Sequence, residues 1–194
     1  MKNAIIVHGT PDRQEYYDEN APSCSNAHWL PWLQKQFLMM DIPAATPEMP
    51  LAWDPQYDIW QREFERFDIG PETILVGHSC GGGFLLRWLS EHQDVRVGIV
   101  VLVAPWVDPQ ESKRPEFFDF EFDRHVASRT DKLIVFNSDD DMESILESVS
   151  IILENVDDIE YHEFQEYGHF CSEDLGSDEF PELLECIISN FESE

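Results

Sequence analysis

The sequence predicts an α/β protein: a three-layer α/β/α sandwich around a mainly parallel sheet of about six strands. Three observations carry this. Short apolar runs alternate with amphipathic helical patterns, the rhythm of βαβ units. Residues 97–103 are almost wholly apolar, as a central strand covered on both faces must be. One strand also runs through a glycine-rich turn straight into a helix, a connection whose carboxyl end is where ligands bind in such sheets.

The elements follow in order. Residues 4–7 form a first strand. Trp29, Leu30, Leu33 and Phe37 recur at helical spacing up to about Met40, and a short strand over 42–45 follows. A loop carrying Pro43, Pro47, Pro50 and Pro55 leads to a helix over about 56–67. Residues 73–76 are a compact buried strand. Phe84, Leu85, Trp88 and Leu89 share one face of a helix over 81–91. Strands at 97–103 and 132–136 flank an interruption at 105–130, which combines three prolines with Phe117, Phe118, Phe120 and Phe122. That stretch reads either as a small cap over the sheet's carboxyl edge or as a surface loop with core anchors. Ile145, Val149, Ile152 and Val156 mark the next helix, residues 159–164 a last strand, and Phe180 to Phe191 a final helix. With no linker or repeat, residues 1–194 are expected to form one domain.

Composition narrows the function. The 194 residues include 40 Asp+Glu against 12 Lys+Arg, a formal net charge of −28, yet 42% are hydrophobic. A core is affordable, and the chain is not an acidic disordered tail. Nucleic-acid binding is disfavoured, because it needs cations to displace phosphate counterions. An anionic membrane surface is disfavoured for the same reason, and no apolar run approaches a membrane span. The first residues turn polar too early for a signal peptide. The four cysteines form no CxxC pair, so a reducing cytoplasm is expected. The seven histidines show no HExxH or Cys/His ligand spacing, and no metal is expected.

Gly77-His78-Ser79-Cys80-Gly81 is G-x-S-x-G in the setting it requires, between an apolar strand and an amphipathic helix. The turn lifts the Ser79 hydroxyl off the sheet edge and starts a helix beneath it, so N–H groups face developing negative charge. A serine nucleophile needs a histidine base oriented by a carboxylate, here in the chain order Ser, acid, His. His169, in Tyr167-Gly168-His169-Phe170, follows the last strand. Asp139, Asp140 and Asp141 follow the strand before it. Separation does not choose among them; Asp141 is preferred, Asp140 is the alternative acid, and Asp139 is a candidate helix cap. The oxyanion donors are expected to be the N–H of Cys80 and, from His8-Gly9-Thr10-Pro11, that of Thr10, because Pro11 has none. Residues 133–194, which hold the candidate acid and base, contain 19 Asp+Glu and no Lys or Arg. Neutral or cationic substrates are therefore expected over anionic ones.

These residues resemble the α/β-hydrolase superfamily. More narrowly, the chain is similar to the small single-domain serine hydrolases related to retinoblastoma-binding protein 9. The likeness spans nearly the whole chain: Asn26-Ala27-His28-Trp29-Leu30-Pro31-Trp32-Leu33, Pro47-Glu48-Met49-Pro50, the Gly77–Gly82 elbow, Val103-Ala104-Pro105-Trp106, Ser138-Asp139-Asp140-Asp141 and Gly168-His169-Phe170. The resemblance implies a serine hydrolase acting on small esters or amides without a cofactor. It places the acid three residues after a Ser, at Asp141, although the next apolar residue arrives one place late, at Ile145. A retinoblastoma-type partner is not implied, because Leu184-Glu185-Cys186-Ile187-Ile188 lacks the Glu of the Leu-x-Cys-x-Glu motif. An acyltransferase or thioesterase on the same machinery, and a non-catalytic interaction domain on the same fold, remain the alternatives.

Overall fold

The structure is a computed structural model that describes residues 2–111 and 114–191. Residues 112 and 113 of the 105–130 excursion, and 192–194 of the acidic C-terminal stretch, lie outside the described residues. Six parallel strands form one sheet: β1 (Asn3–Val7), β2 (Ala44–Ala45), β3 (Thr73–His78), β4 (Ile99–Val103), β5 (Lys132–Ser138) and β6 (Glu160–Phe164), in the order β2-β1-β3-β4-β5-β6. Its helices are α1 (Arg13–Tyr16), α2 (Leu30–Met39), α3 (Tyr57–Phe64), α4 (Cys80–Glu91), α5 (Glu143–Asn155), α6 (Ser172–Leu175) and α7 (Pro181–Ser189). No helix among the described residues is long and apolar enough to cross a membrane.

β3, β4 and all but the first residue of β5 are buried along their length, which explains their unbroken apolar runs. Strand order reverses between β1 and β3, whose registers align Val7 with Gly77. The crevice beyond that pair is where such a sheet opens to ligands.

The structure shortens or extends several expected elements, each for a local reason. β2 covers only Ala44–Ala45, because residues 41 and 42 close α2. Asp41 takes a left-handed φ of 58°, Ile42 N–H returns to Phe37 C=O and Asp41 N–H to Leu38 C=O. This paired closure satisfies the orphan carbonyls of the last turn. α3 stops at Phe64 and continues only as tighter i→i+3 bonds from Arg66 and Phe67. β3 runs two residues beyond its apolar core, pairing His78 with Val103, so the strand delivers Ser79 directly.

The described part of the excursion folds inward. Phe117 is buried against Tyr57, Trp60 and Phe84, and Phe118 packs edge-on against Trp106. In a second aromatic cluster, Phe180 is buried among Trp29, Phe136, Phe164 and Phe170. Phe180→Ala should therefore cost about 3–5 kcal/mol in urea unfolding. Met39→Ala, at a side chain left exposed, should cost under about 0.5 kcal/mol. Similar costs for the two would contradict this packing.

Candidate active site

Four connections converge at the carboxyl edge, beginning with the turn after β3. Ser79 has φ 54° and ψ −122°, a backbone conformation that L-residues seldom hold. The surroundings enforce it: Ser79 N–H bonds Val103 C=O, and Ser79 C=O accepts from Gly82, Gly83 and Trp106 N–H. The flanking glycines are steric requirements. A β-carbon on Gly77 would stand 2.7 Å from Gly82 Cα, and one on Gly81 would overlap the carbonyl oxygens of Val7 and His8. α4 can thus begin directly beneath the hydroxyl.

The three aspartates after β5 divide their work. Asp141 is buried, and its carboxylate lies 2.9 and 3.1 Å from His169 Nδ1. It also accepts Met142 N–H at 2.6 Å. Asp140 turns away: one oxygen accepts Ser138 Oγ–H at 2.6 Å and Gly168 N–H at 2.9 Å, and these bonds hold its carboxyl below its ordinary pKa. Asp139 accepts Glu166 N–H rather than capping α5. Met142, the residue before α5, is exposed, so the first buried apolar position of that helix is Ile145. That accounts for the late apolar residue in the sequence.

Ser79 and His169 line one cavity of about 640 Å³, which His8, Gly9, Thr10, Tyr16, Cys24 and His28 help to enclose. Among the described residues neither Ser79 Oγ nor His169 Nε2 takes a hydrogen-bond partner, a looseness common in unliganded sites. No described residue of the 105–130 excursion lines this cavity. Gly9 faces Ser79 so closely that a β-carbon there would meet the Ser79 Cβ at 3.0 Å. The Thr10 side chain meets the Cys80 thiol, which puts these two residues side by side where Thr10 lines the cavity.

Four residues that sequence reasoning passed over hold these parts in place. His8 is buried; its Nε2 accepts Met49 N–H at 2.8 Å, so Nδ1 carries the proton and donates to Gly9 C=O at 2.6 Å. In a trans peptide, fixing the Gly9 carbonyl also fixes the Thr10 N–H that points the opposite way. His78, beside Ser79, donates Nε2–H to His169 C=O at 2.9 Å. Trp29 donates to Phe170 C=O at 3.0 Å, and His28 accepts Ser172 N–H at 3.2 Å. The His28-Trp29 pair and the repeated Gly-His dipeptide at 77–78 and 168–169 were the available signal, but no local pattern says where such rings reach.

Burial pushes the thiols of Cys80 and Cys171 up to about 12, so both stay protonated near the site and are no rivals to Ser79. A His8, Cys24 and Glu48 cluster has ligand atoms within 4.8 Å of one another. Both His8 nitrogens are already committed, which leaves no lone pair for a metal there.

A family model described as serine hydrolase matches residues 21–188. Among solved structures, the ydeN gene product of Bacillus subtilis is 25% identical, with 98% of this chain and 99% of that one covered and a TM-score of 0.80. Est1E from Butyrivibrio proteoclasticus is 12% identical over 98% and 88% of the two chains, with a TM-score of 0.65. A Xanthomonas campestris protein described as an a/b serine hydrolase without lid is 13% identical over 98% and 81%, with a TM-score of 0.59. Comparison with curated proteins gives no match.

The buried histidines set a pH dependence. Burial, first among the causes, lowers the pKa of His8 and His28 and carries that of His78 well below 6.5. The unfolded chain then binds protons that the folded one refuses. The stability contributed by neutral rings is complete above about pH 6.5 and is lost as pH falls below it. The urea midpoint should hold at neutral pH and fall towards about pH 5, and His78→Gln should flatten that slope. A wild-type midpoint that does not move across this range would refute the account.

Proposed function

Since the chain belongs to the serine hydrolase family, we propose that it cleaves small ester or amide substrates through an acyl-enzyme on Ser79. The observation that carries this reading is the Asp141 carboxylate 2.9 Å from His169 Nδ1, in the cavity that Ser79 enters from its strained turn. His169 Nε2 takes the Ser79 proton as Oγ attacks the carbonyl carbon, then gives it to the departing alcohol or amine. Water enters, loses its proton to the same nitrogen, and releases the acid and free Ser79. Asp141 keeps the proton on Nδ1 and stabilises the imidazolium. The N–H groups of Cys80 and Thr10 receive the oxyanion. No step calls for a cofactor or metal.

The rim favours a neutral or cationic acyl substrate. Glu15, Glu48 and Glu173 line the cavity, and among the described residues no Lys or Arg does. Carboxylates there repel an anion across a distance that salt can screen.

A fluorophosphonate probe should label Ser79 in the folded protein and fail on Ser79→Ala. On a panel of esters, Asp141→Asn should lower kcat by a factor on the order of 10⁴. Asp140→Asn should cost far less, and anionic esters should turn over more slowly than neutral ones of equal size. An unlabelled wild-type protein, or equal losses in the two aspartate variants, would overturn the proposal.

A further inference from the structure

A second constellation of chemically active side chains lies away from the serine. Glu160 and His162 stand two apart on β6, so both point to one face of that strand. Cys186 reaches the same place from α7. All three are half-buried, and their ligand atoms lie within 4.8 Å of one another. His162 Nε2 already approaches Glu160 Oε1 to 2.8 Å. β6 is the edge strand of the sheet, and the cluster sits towards its amino end, whereas Ser79 and His169 lie at the carboxyl end.

From this juxtaposition we infer that Glu160, His162 and Cys186 form a zinc site, with water as the fourth ligand. The donor set selects the ion. One imidazole nitrogen, one sulfur and one carboxylate oxygen suit Zn²⁺, while Mg²⁺ and Ca²⁺ take oxygen alone. The geometry is near what the ion needs. Zinc bonds of about 2.0–2.3 Å put tetrahedral ligand atoms about 3.3–3.8 Å apart, so the widest pair must close by no more than about 1.5 Å, while the His162–Glu160 pair opens slightly from 2.8 Å. Partly exposed side chains have that freedom. On binding, the ring changes tautomer: the Nε2 proton that Glu160 accepts is lost to solvent and Nδ1 takes one up, which frees the Nε2 lone pair for the ion, and the Cys186 thiol gives its proton to solvent as the sulfur–zinc bond forms.

One neighbour competes for the carboxylate. Lys132 Nζ stands 2.9 Å from Glu160 Oε2, the oxygen that does not face His162. The ammonium occupies that oxygen and repels a dication, so the same geometry makes Lys132 the brake on zinc affinity. The ion would join the edge strand to the last helix. Sequence spacing hid the cluster because Cys186 lies on a different element from the other two residues.

The test is a calorimetric titration of zinc into the chelator-stripped full chain, with excess Mg²⁺ present to occupy the many surface carboxylates. One saturating equivalent is expected. His162→Ala and Cys186→Ser should each weaken it at least about tenfold, and Lys132→Gln should tighten it. Cobalt in place of zinc should give a thiolate charge-transfer band that Cys186→Ser abolishes. His162 and Lys132 are exposed enough that their variants should fold even if the Cys186 variant does not. The inference fails if no saturable site exists, if binding is unchanged in His162→Ala, or if Cys24→Ser removes it instead.

Discussion

The site depends on one irregular loop that has no ladder of its own. Residues 166–172 carry His169, and side chains from elsewhere take up their backbone groups in turn. Asp139, Ser138, Asp140 and Asp174 accept the N–H groups of Glu166, Tyr167, Gly168 and His169. His78 and Trp29 donate to the carbonyls of His169 and Phe170, and His28 accepts Ser172 N–H. These side chains stand in for a ladder, and the pairing also sets the place of an imidazole. Gly168 and Phe170 hold positive φ values of 50° and 57°, a strained course that such a cage sustains.

That cage explains why three consecutive acids follow β5. Asp139 and Asp140 are consumed in fixing the loop, and only Asp141 is left to reach the ring. His78 extends the same logic to Ser79: it adjoins that residue in sequence and grips His169 in space, with ring centroids 5.0 Å apart. A neutral ring suits the proposed mechanism, since a second positive charge would oppose the one His169 acquires in it. Burial supplies that neutrality.

Much of this was legible beforehand because it rests on local patterns. Apolar runs located the strands, and the glycines around Ser79 announced a turn too tight for β-carbons. The order of Ser79, an acid among residues 139–141, and His169 followed from their positions beyond the third, fifth and sixth strands. What escaped was set by distant partners. Trp29 reads as one more apolar residue of α2, yet its indole N–H holds a carbonyl 141 residues away. Asp140 and Asp141 are indistinguishable by spacing and separate only when Ser138 and Gly168 claim one of them. The inward course of Phe117 likewise depends on Trp60 and Phe84, which no reading of residues 105–130 contains.

The central claim is that Asp141, and not Asp140, holds the proton on His169 Nδ1. Proton NMR of the isotopically labelled protein tests it directly, by following the imidazole N–H resonance of His169 in the wild type and in the two asparagine variants. The account predicts a strongly downfield Nδ1–H signal that Asp141→Asn removes and Asp140→Asn retains. A signal that survives Asp141→Asn and disappears in Asp140→Asn would contradict it.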